Sequence, residues 1–411
     1  MEFSFTPQQV AFREEIRDFL RKEITPEVMA RAKGSSVGSY RSDEIKQKFI
    51  EKGWYVVHWP KEMGGQGWTP IEQTIFFEEC GYFRVLPGGL YNIADSIRLF
   101  GTEEQKSYFL PRFAKGELGF TLGLSEANAG VDAANVQMRA ELQGDDFVIN
   151  GSKLWGGSGD PGYAENNWHW LICRTDQDAQ RHRGISIILV PMESQGITIR
   201  PIEVMGSMAL LEDDPVNTVA AIYYDNVRVP KENLLGEANR GWYQLMTGLD
   251  TLRTNIAAGY LGEARRTLDE LIEYVKAHRD SRRWIGDSQW VRFRLVEHLA
   301  ETRMHWNLCY QIAFEEQKRM EEGAEGAMPP THLASMAKIW SADLLQRLSA
   351  TGIQILGMYG IMAHKESERW LEFSDNIQRL SRWSRQLSIG GGSSEVLRTQ
   401  LAQRYLGMAK S

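Results

Sequence analysis

Cysteine is scarce in this chain of 411 residues: Cys80, Cys173 and Cys309 are the only three, far apart and without metal-ligand spacing. So sparse and odd a set argues against a disulfide framework and fits a reducing compartment. A basic excess is missing too. Net charge is −7 and no run of Lys or Arg stands out, which removes the basic face a nucleic acid requires. No apolar run approaches the roughly 20 residues of a membrane span. The opening Met1-Glu2-Phe3-Ser4-Phe5 lacks the basic start and apolar centre of a signal peptide. These absences predict a cytoplasmic protein with no membrane and no nucleic-acid partner.

What is present is an ordinary globular mixture, with 42% hydrophobic and 25% charged residues, in a chain long enough for two or three cores. Thr6-Pro7-Gln8-Gln9 reads as a helix start: Thr6 caps, Pro7 suits the first turn and Gln9 reaches back to the cap amide. Phe12, Ile16, Phe19 and Leu20 then form one apolar helical stripe. Helical patterns continue through Ser42–Lys52, Pro70–Cys80 and Glu103–Lys115, with Gly64-Gly65-Gln66-Gly67 as a turn between them.

The texture changes at Phe120. Val136–Leu142 and Asp146–Asn150 flank Gln143-Gly144-Asp145 as a hairpin. Trp168–Arg174, Gly184–Pro191, Ile197–Glu203 and Val216–Tyr224 follow as short β-rich runs, and Asp225–Gly236 leaves the strands. From Trp242 the period is helical again, through a long segment marked by Leu249, Leu252, Ile256, Leu261 and Leu268, then Arg292–Gln317 and Ser335–Ile355. The expected class is α+β: an N-terminal helical domain at 1–119, a middle β-sandwich or barrel domain at 120–235, and a C-terminal helical bundle at 236–411.

Five motifs appear in order: Gly101-Thr102-Glu103-Glu104-Gln105-Lys106 with Leu110-Pro111, the Ser125–Asp132 block, Lys153-Leu154-Trp155, Gln354-Ile355-Leu356-Gly357-Met358-Tyr359-Gly360, and Gly392–Arg398. Together they resemble the acyl-CoA dehydrogenases, flavoenzymes that oxidise acyl thioesters, over nearly the whole chain. The resemblance implies that family's helical–β–helical architecture, ending in a four-helix bundle. It also implies FAD as cofactor, an acyl-CoA substrate, an electron-transfer flavoprotein as acceptor, and a homodimer, homotetramer or heterotetramer with a sibling subunit.

The same resemblance assigns residues. Leu122, Leu124 and Ser125 match those that contact the flavin's polar edge, and Gly130 lies in the same block. Trp155 matches the aromatic residue packed on the ring. Gly157 stands where relatives place a Thr or Ser hydroxyl near the flavin N5, leaving its amide or Ser158 to serve. Arg282 and Gln289 match residues that relatives supply from a neighbouring subunit, meeting Gln354 and Gly357 around the adenosine half. Ser393 and Glu395 match loop residues that hold ribose and phosphates. On the substrate side, Arg253 matches a helix arginine beside the CoA arm, and Val131 stands where many relatives carry Ser.

The sequence departs from the family at the base. Removing a proton α to a thioester needs a nearby carboxylate, yet Gly391 and Leu252 occupy the two positions where relatives carry the catalytic glutamate. Three explanations stand. A carboxylate elsewhere acts, with Asp95 and Asp250 as candidates. Alternatively, the chain is the non-catalytic partner in a heteromeric dehydrogenase. The third is a flavin monooxygenase or oxidase reaction on the same fold, which needs no such base. The glycines Gly390–Gly392 also clear volume beside the flavin, leaving room either for a bulky, branched or cyclic acyl group or for oxygen, so volume alone does not choose among the three.

Overall fold

In the computed structural model, residues 5–31, 33–34, 40–85, 91–156, 167–202, 204–205, 219–279, 284–323, 330–361 and 369–409 are described. The N-terminal part is built from α1 (Pro7–Glu23), α2 (Pro26–Arg31), a two-residue-per-strand ribbon of β1 (Lys33–Gly34) and β2 (Tyr40–Arg41), α3 (Asp43–Glu51), α4 (Pro70–Tyr82), α5 (Tyr91–Phe100) and α6 (Glu103–Ala114). Local chemistry sets the helix starts. Thr6, Thr69 and Thr102 each cap a helix, with Gln9, Glu72 and Gln105 returning the bond to the cap amide. The α1 stripe buries Ile16 and Leu20 completely, each contributing roughly 1.5–3 kcal/mol.

The middle part holds β3 (Gly119–Gly123), β4 (Arg139–Gln143), β5 (Asp146–Gly156), β6 (Asn167–Arg174), β7 (Ile185–Pro191), β8 (Ile197–Ile202) and β9 (Val219–Pro230). These make one curled sheet in the order β3-β6-β4-β5-β9-β8, with β7 on β6. The hairpin about Gln143-Gly144-Asp145 forms as its alternation predicts. β9 does not stop at Tyr224; it runs to Pro230, with Asn226 in a left-handed turn of the strand and Val227 and Val229 returned to the core. That bulge breaks the alternation that marks a strand in sequence.

The sheet has two dry faces. Leu171 and Cys173 of β6 and Ile188 and Val190 of β7 pack inside the curl with Ile149, Ile222 and Val227. Their neighbours Trp170, Ile172, Ile187 and Leu189 point the other way, into a core shared with Ile93 and Ile97 of α5 and Phe109 and Phe113 of α6. Strands buried on both sides read as continuous apolar runs.

The C-terminal part consists of α7 (Gly241–Ala277), α8 (Gln289–Glu321), α9 (Thr331–Leu356), α10 (Arg369–Trp383) and α11 (Ser394–Arg404). Leu268 and Leu271 of α7, Leu344, Leu345 and Leu348 of α9, and Ile377 and Leu380 of α10 fill the bundle core. This is the three-part acyl-CoA dehydrogenase architecture expected above. Ion clusters join it to the first part. Arg13 and Arg265 meet the fully buried Glu78 of α4, which also accepts from Tyr310, and Arg84 meets Glu263 and Glu270 of α7 at 3.0 and 2.8 Å. Among the described residues, no helix is long and apolar enough to cross a membrane.

Candidate functional site

Two loops carry most of the residues that the motifs single out, and each is held by a buried lysine. The first lies where β3 ends. Lys153 of β5 is fully buried, and its Nζ donates to Glu126 Oε1 at 2.7 Å and to the Leu124 carbonyl at 3.1 Å. Glu126 Oε2 and Oε1 accept in turn from the Gln137 and Met138 amides, at 2.7 and 3.1 Å. The Leu154 amide donates to the Ser125 carbonyl at 2.8 Å. Burial pushes the Lys153 ammonium below its ordinary value, and Glu126 opposes that shift.

This anchoring sets Trp155. The β5–β9 register slips between Leu154 and Gly156, Trp155 takes φ 65°, and 57% of its surface is exposed. A left-handed tryptophan costs roughly 1–2 kcal/mol. Beneath it the His169 ring fills the space left by Gly123 and Gly156, bonded through Nδ1 to the Tyr224 hydroxyl. Burial pushes His169 down to about 3, so it is neutral. Leu122 and Leu124 are half-buried against the helical core; Gly130 and Val131 are exposed. Gly157 and Ser158 lie outside the described residues.

The second loop precedes α11. Gly391 and Gly392 have φ of 73° and 101°, which side-chain-bearing residues rarely adopt. Their carbonyls are held by two cations: Arg253 Nε donates to the Gly391 oxygen at 3.0 Å and Lys338 Nζ to the Gly392 oxygen at 2.7 Å. Ser393 then caps α11, its Oγ accepting from the Val396 amide at 3.3 Å, with Glu395 exposed in the first turn. A helix start preceded by left-handed glycines favours an anion. A Cβ at Gly391 would meet only Lys338 Cε, at 4.0 Å.

Helix α7 links the two loops. Leu249 packs with Leu122 and Leu124 on the core beneath the sheet, and one turn later Arg253 reaches the glycine loop. Gln289 at the start of α8 and Gln354 and Gly357 at the end of α9 are exposed, away from both anchors' hydrogen bonds. Arg282 lies outside the described residues.

The two candidate carboxylates are occupied. Asp95 receives the His58 Nε2 contact at 2.7 Å, Trp59 Nε1 at 2.9 Å and Arg98 Nε at 3.2 Å. Burial would raise its carboxyl, but the His58 and Arg98 charges and the Trp59 bond hold it below the usual carboxylate range. Asp250 accepts from Arg253 at 2.8 Å and from Thr331 at 2.5 Å. Asp95, held in this way, is a weak proton acceptor. Leu252 is half-buried on α7. Lys338 escaped the sequence reading, although a lysine among Ala334, Ala337 and Ser341 on the buried face of α9 is the signal that marks it.

An exposed aromatic wall beside anchored strand-end backbone, and a glycine-opened helix start for an anionic tail, are the features a flavin dinucleotide requires. Three family models match the chain: the acyl-CoA dehydrogenase N-terminal domain over residues 6–117, the middle domain over 121–212 and the C-terminal domain over 239–406. The chain is 31% identical to acyl-CoA dehydrogenase FadE26 of Mycobacterium tuberculosis, covering 100% of both. Among solved structures it is similar to the Tcur3481-Tcur3483 steroid ACAD (29% identity, 100% of each chain, TM-score 0.85). It is also similar to the ChsE4-ChsE5 complex from Mycobacterium tuberculosis (28% identity, 100% of each chain, TM-score 0.81).

Proposed function

Because this chain belongs to the acyl-CoA dehydrogenase family, whose members are generally FAD-dependent flavoproteins, we propose that it binds FAD and takes part in oxidising a bulky, branched or cyclic acyl-CoA. The observation that carries the reading is the pair of anchored loops: Trp155 at one, and the side-chain-free Gly390–Gly392 at the other, joined through α7. FAD, when bound, supplies the hydride acceptor. Trp155 walls its ring side, Leu122, Leu124 and Ser125 offer the strand-end contacts, and Ser393 at the start of α11 meets the anionic tail. Gln289, Gln354 and Gly357 are exposed, as a tail shared between subunits requires, and Arg282 completes that set. Arg253 holds the wall beside the acyl-CoA arm.

The missing base points to the assembly. Gly391 and Leu252 cannot take a proton, Asp95 and Asp250 are engaged, and two of the similar structures are named as pairs of different chains. We infer a heteromer in which a sibling subunit carries the glutamate. Phe293, Val296 and Leu299 form an outward apolar stripe on α8 that such a subunit would cover. An electron-transfer flavoprotein reoxidises the flavin in this reading.

The test is anaerobic titration of the purified protein, alone and co-expressed with a glutamate-bearing relative, with linear, branched and sterol-derived CoA esters. Loss of the long-wavelength flavin absorbance is expected only in the mixed assembly and most strongly with the bulky esters. A colourless protein that refuses FAD in both preparations sinks the proposal. Bleaching by the chain alone, abolished by Asp95→Asn, returns the base to Asp95.

A further inference from the structure

The glycine loop has no side chain with which to define a surface, so its backbone must be fixed from outside. Two cations from two helices reach two successive carbonyls: Arg253 of α7 to Gly391 and Lys338 of α9 to Gly392. Arg253 has a carboxylate partner in Asp250. Lys338, only 3% exposed, makes its hydrogen bond to the loop carbonyl. A charged donor to a backbone oxygen in a dry site is among the stronger hydrogen bonds. We propose that Lys338 is a positioning residue that, with Arg253, clamps the Gly391–Gly392 backbone and thereby shapes the wall facing the acyl group. The naming of that wall rests on the functional reading above; the clamp itself is tested without it.

The charged groups facing Lys338 are Arg253 of α7, Glu395 and Arg398 of α11, and Asp343 of its own helix. Burial, reinforced by Arg253, pushes the Lys338 ammonium down to about 8. The clamp is therefore mostly charged at pH 7, about half charged near pH 8 and largely neutral by pH 9.

The experiment is hydrogen exchange of the peptide spanning residues 389–393 in the full chain, corrected for intrinsic rates. Lys338→Met should raise exchange there by about tenfold at pH 7, with the β-domain peptides unchanged, and Lys338→Arg should stay near wild type. In the wild-type protein the same peptide should loosen between pH 7 and 9, and in Lys338→Arg it should not. Lys338→Gln, neutral but still a donor, carries the test if the methionine variant fails to fold. Wild-type exchange of this peptide in both neutral variants, or loosening spread evenly through the chain, overturns the clamp. Acyl-CoA titration of the FAD-loaded mixed assembly, with the glutamate-bearing relative present, separates the two ideas. A loop that loosens in Lys338→Met beside a flavin that never responds to any acyl-CoA leaves the clamp standing and removes the enzymatic reading.

Discussion

Lys153 and Lys338 are both buried, both donate to a loop carbonyl, and differ in one respect. Lys153 has a carboxylate 2.7 Å away; Lys338 has a backbone oxygen at the same distance and Arg253 as a neighbouring charge. A buried cation paired with an anion is a structural bolt, because removing either partner strands the other in low dielectric. One hydrogen-bonded to a peptide oxygen, with Glu395 and Asp343 acting on it only through space, is more easily neutralised. The β-domain anchor is thus permanent and the glycine-loop anchor adjustable. That division suits a site in which the ring-facing wall stays fixed while the acyl-facing wall admits substrate.

The largest expected effect tests the bolt. Lys153→Met leaves the half-buried Glu126 without its cation and should cost about 3 kcal/mol, read as a lowered urea midpoint. Lys153→Met combined with Glu126→Gln should recover most of that loss, since the stranded charge is gone. If the single and double variants unfold alike, the pair is not the anchor. Asp95→Asn comes next. It weakens three hydrogen bonds to a carboxylate, so a loss of about 2 kcal/mol is expected at pH 7. Because the folded carboxyl sits below its unfolded value, that contribution is present above about pH 4 and disappears as pH falls through the folded value. Wild type and variant should therefore converge in acid; a constant gap would mean the loss comes from packing.

Much of this was visible in the sequence where the physics is local. Thr6, Pro7 and Gln9 sit within one turn, so the capping of α1 is readable from four letters, and the hairpin at Gly144 is signalled by its two flanking runs. The continuation of β9 past Tyr224 was hidden because Asn226 breaks the alternation, and α11 offers few apolar cues to mark it, whereas the stripe Phe373, Ile377, Leu380 and Trp383 of α10 was legible and went unread. The site divides the same way. Trp155 and Ser393 stand out by motif, but the partners that decide their setting come from far along the chain. Asp95 looked free to act as a base until His58, 37 residues earlier, was brought against it. Lys338 meets Gly392, 54 positions further along the chain. Spacing cannot report such pairs.

Smaller effects sharpen the adjustable side of the comparison. Lys338→Met should change global stability at pH 7 by only about 1 kcal/mol, the lost hydrogen bond being offset by relief from burying a charge. The pH dependence distinguishes it from the bolt. The Lys338 value is about 8 when folded and 10.5 as its ordinary reference, so between these the unfolded chain binds more protons. Wild-type stability relative to Lys338→Met should therefore rise with pH across that window. Global stability rises, then, over a range that overlaps the one in which the loop loosens. A flat difference between the two proteins from pH 7 to 10 would mean the lysine is not desolvated.

The smallest effect belongs to Gly391→Ala. Space is not at issue, because the nearest atom to a new Cβ is Lys338 Cε at 4.0 Å. What remains is the φ of 73°, which costs an alanine about 1 kcal/mol relative to glycine. The loop can relieve that strain only by turning the Gly391 carbonyl away from Arg253. Two outcomes follow from one substitution. If the clamp holds, the whole cost appears in the unfolding midpoint and exchange at 389–393 stays slow. If the clamp yields, the midpoint barely moves and the loop exchanges faster. Adding Lys338→Met to Gly391→Ala should convert the first behaviour into the second. Two perturbations that simply add would instead place the glycine conformation under the control of α11 itself, independent of the cations beneath it.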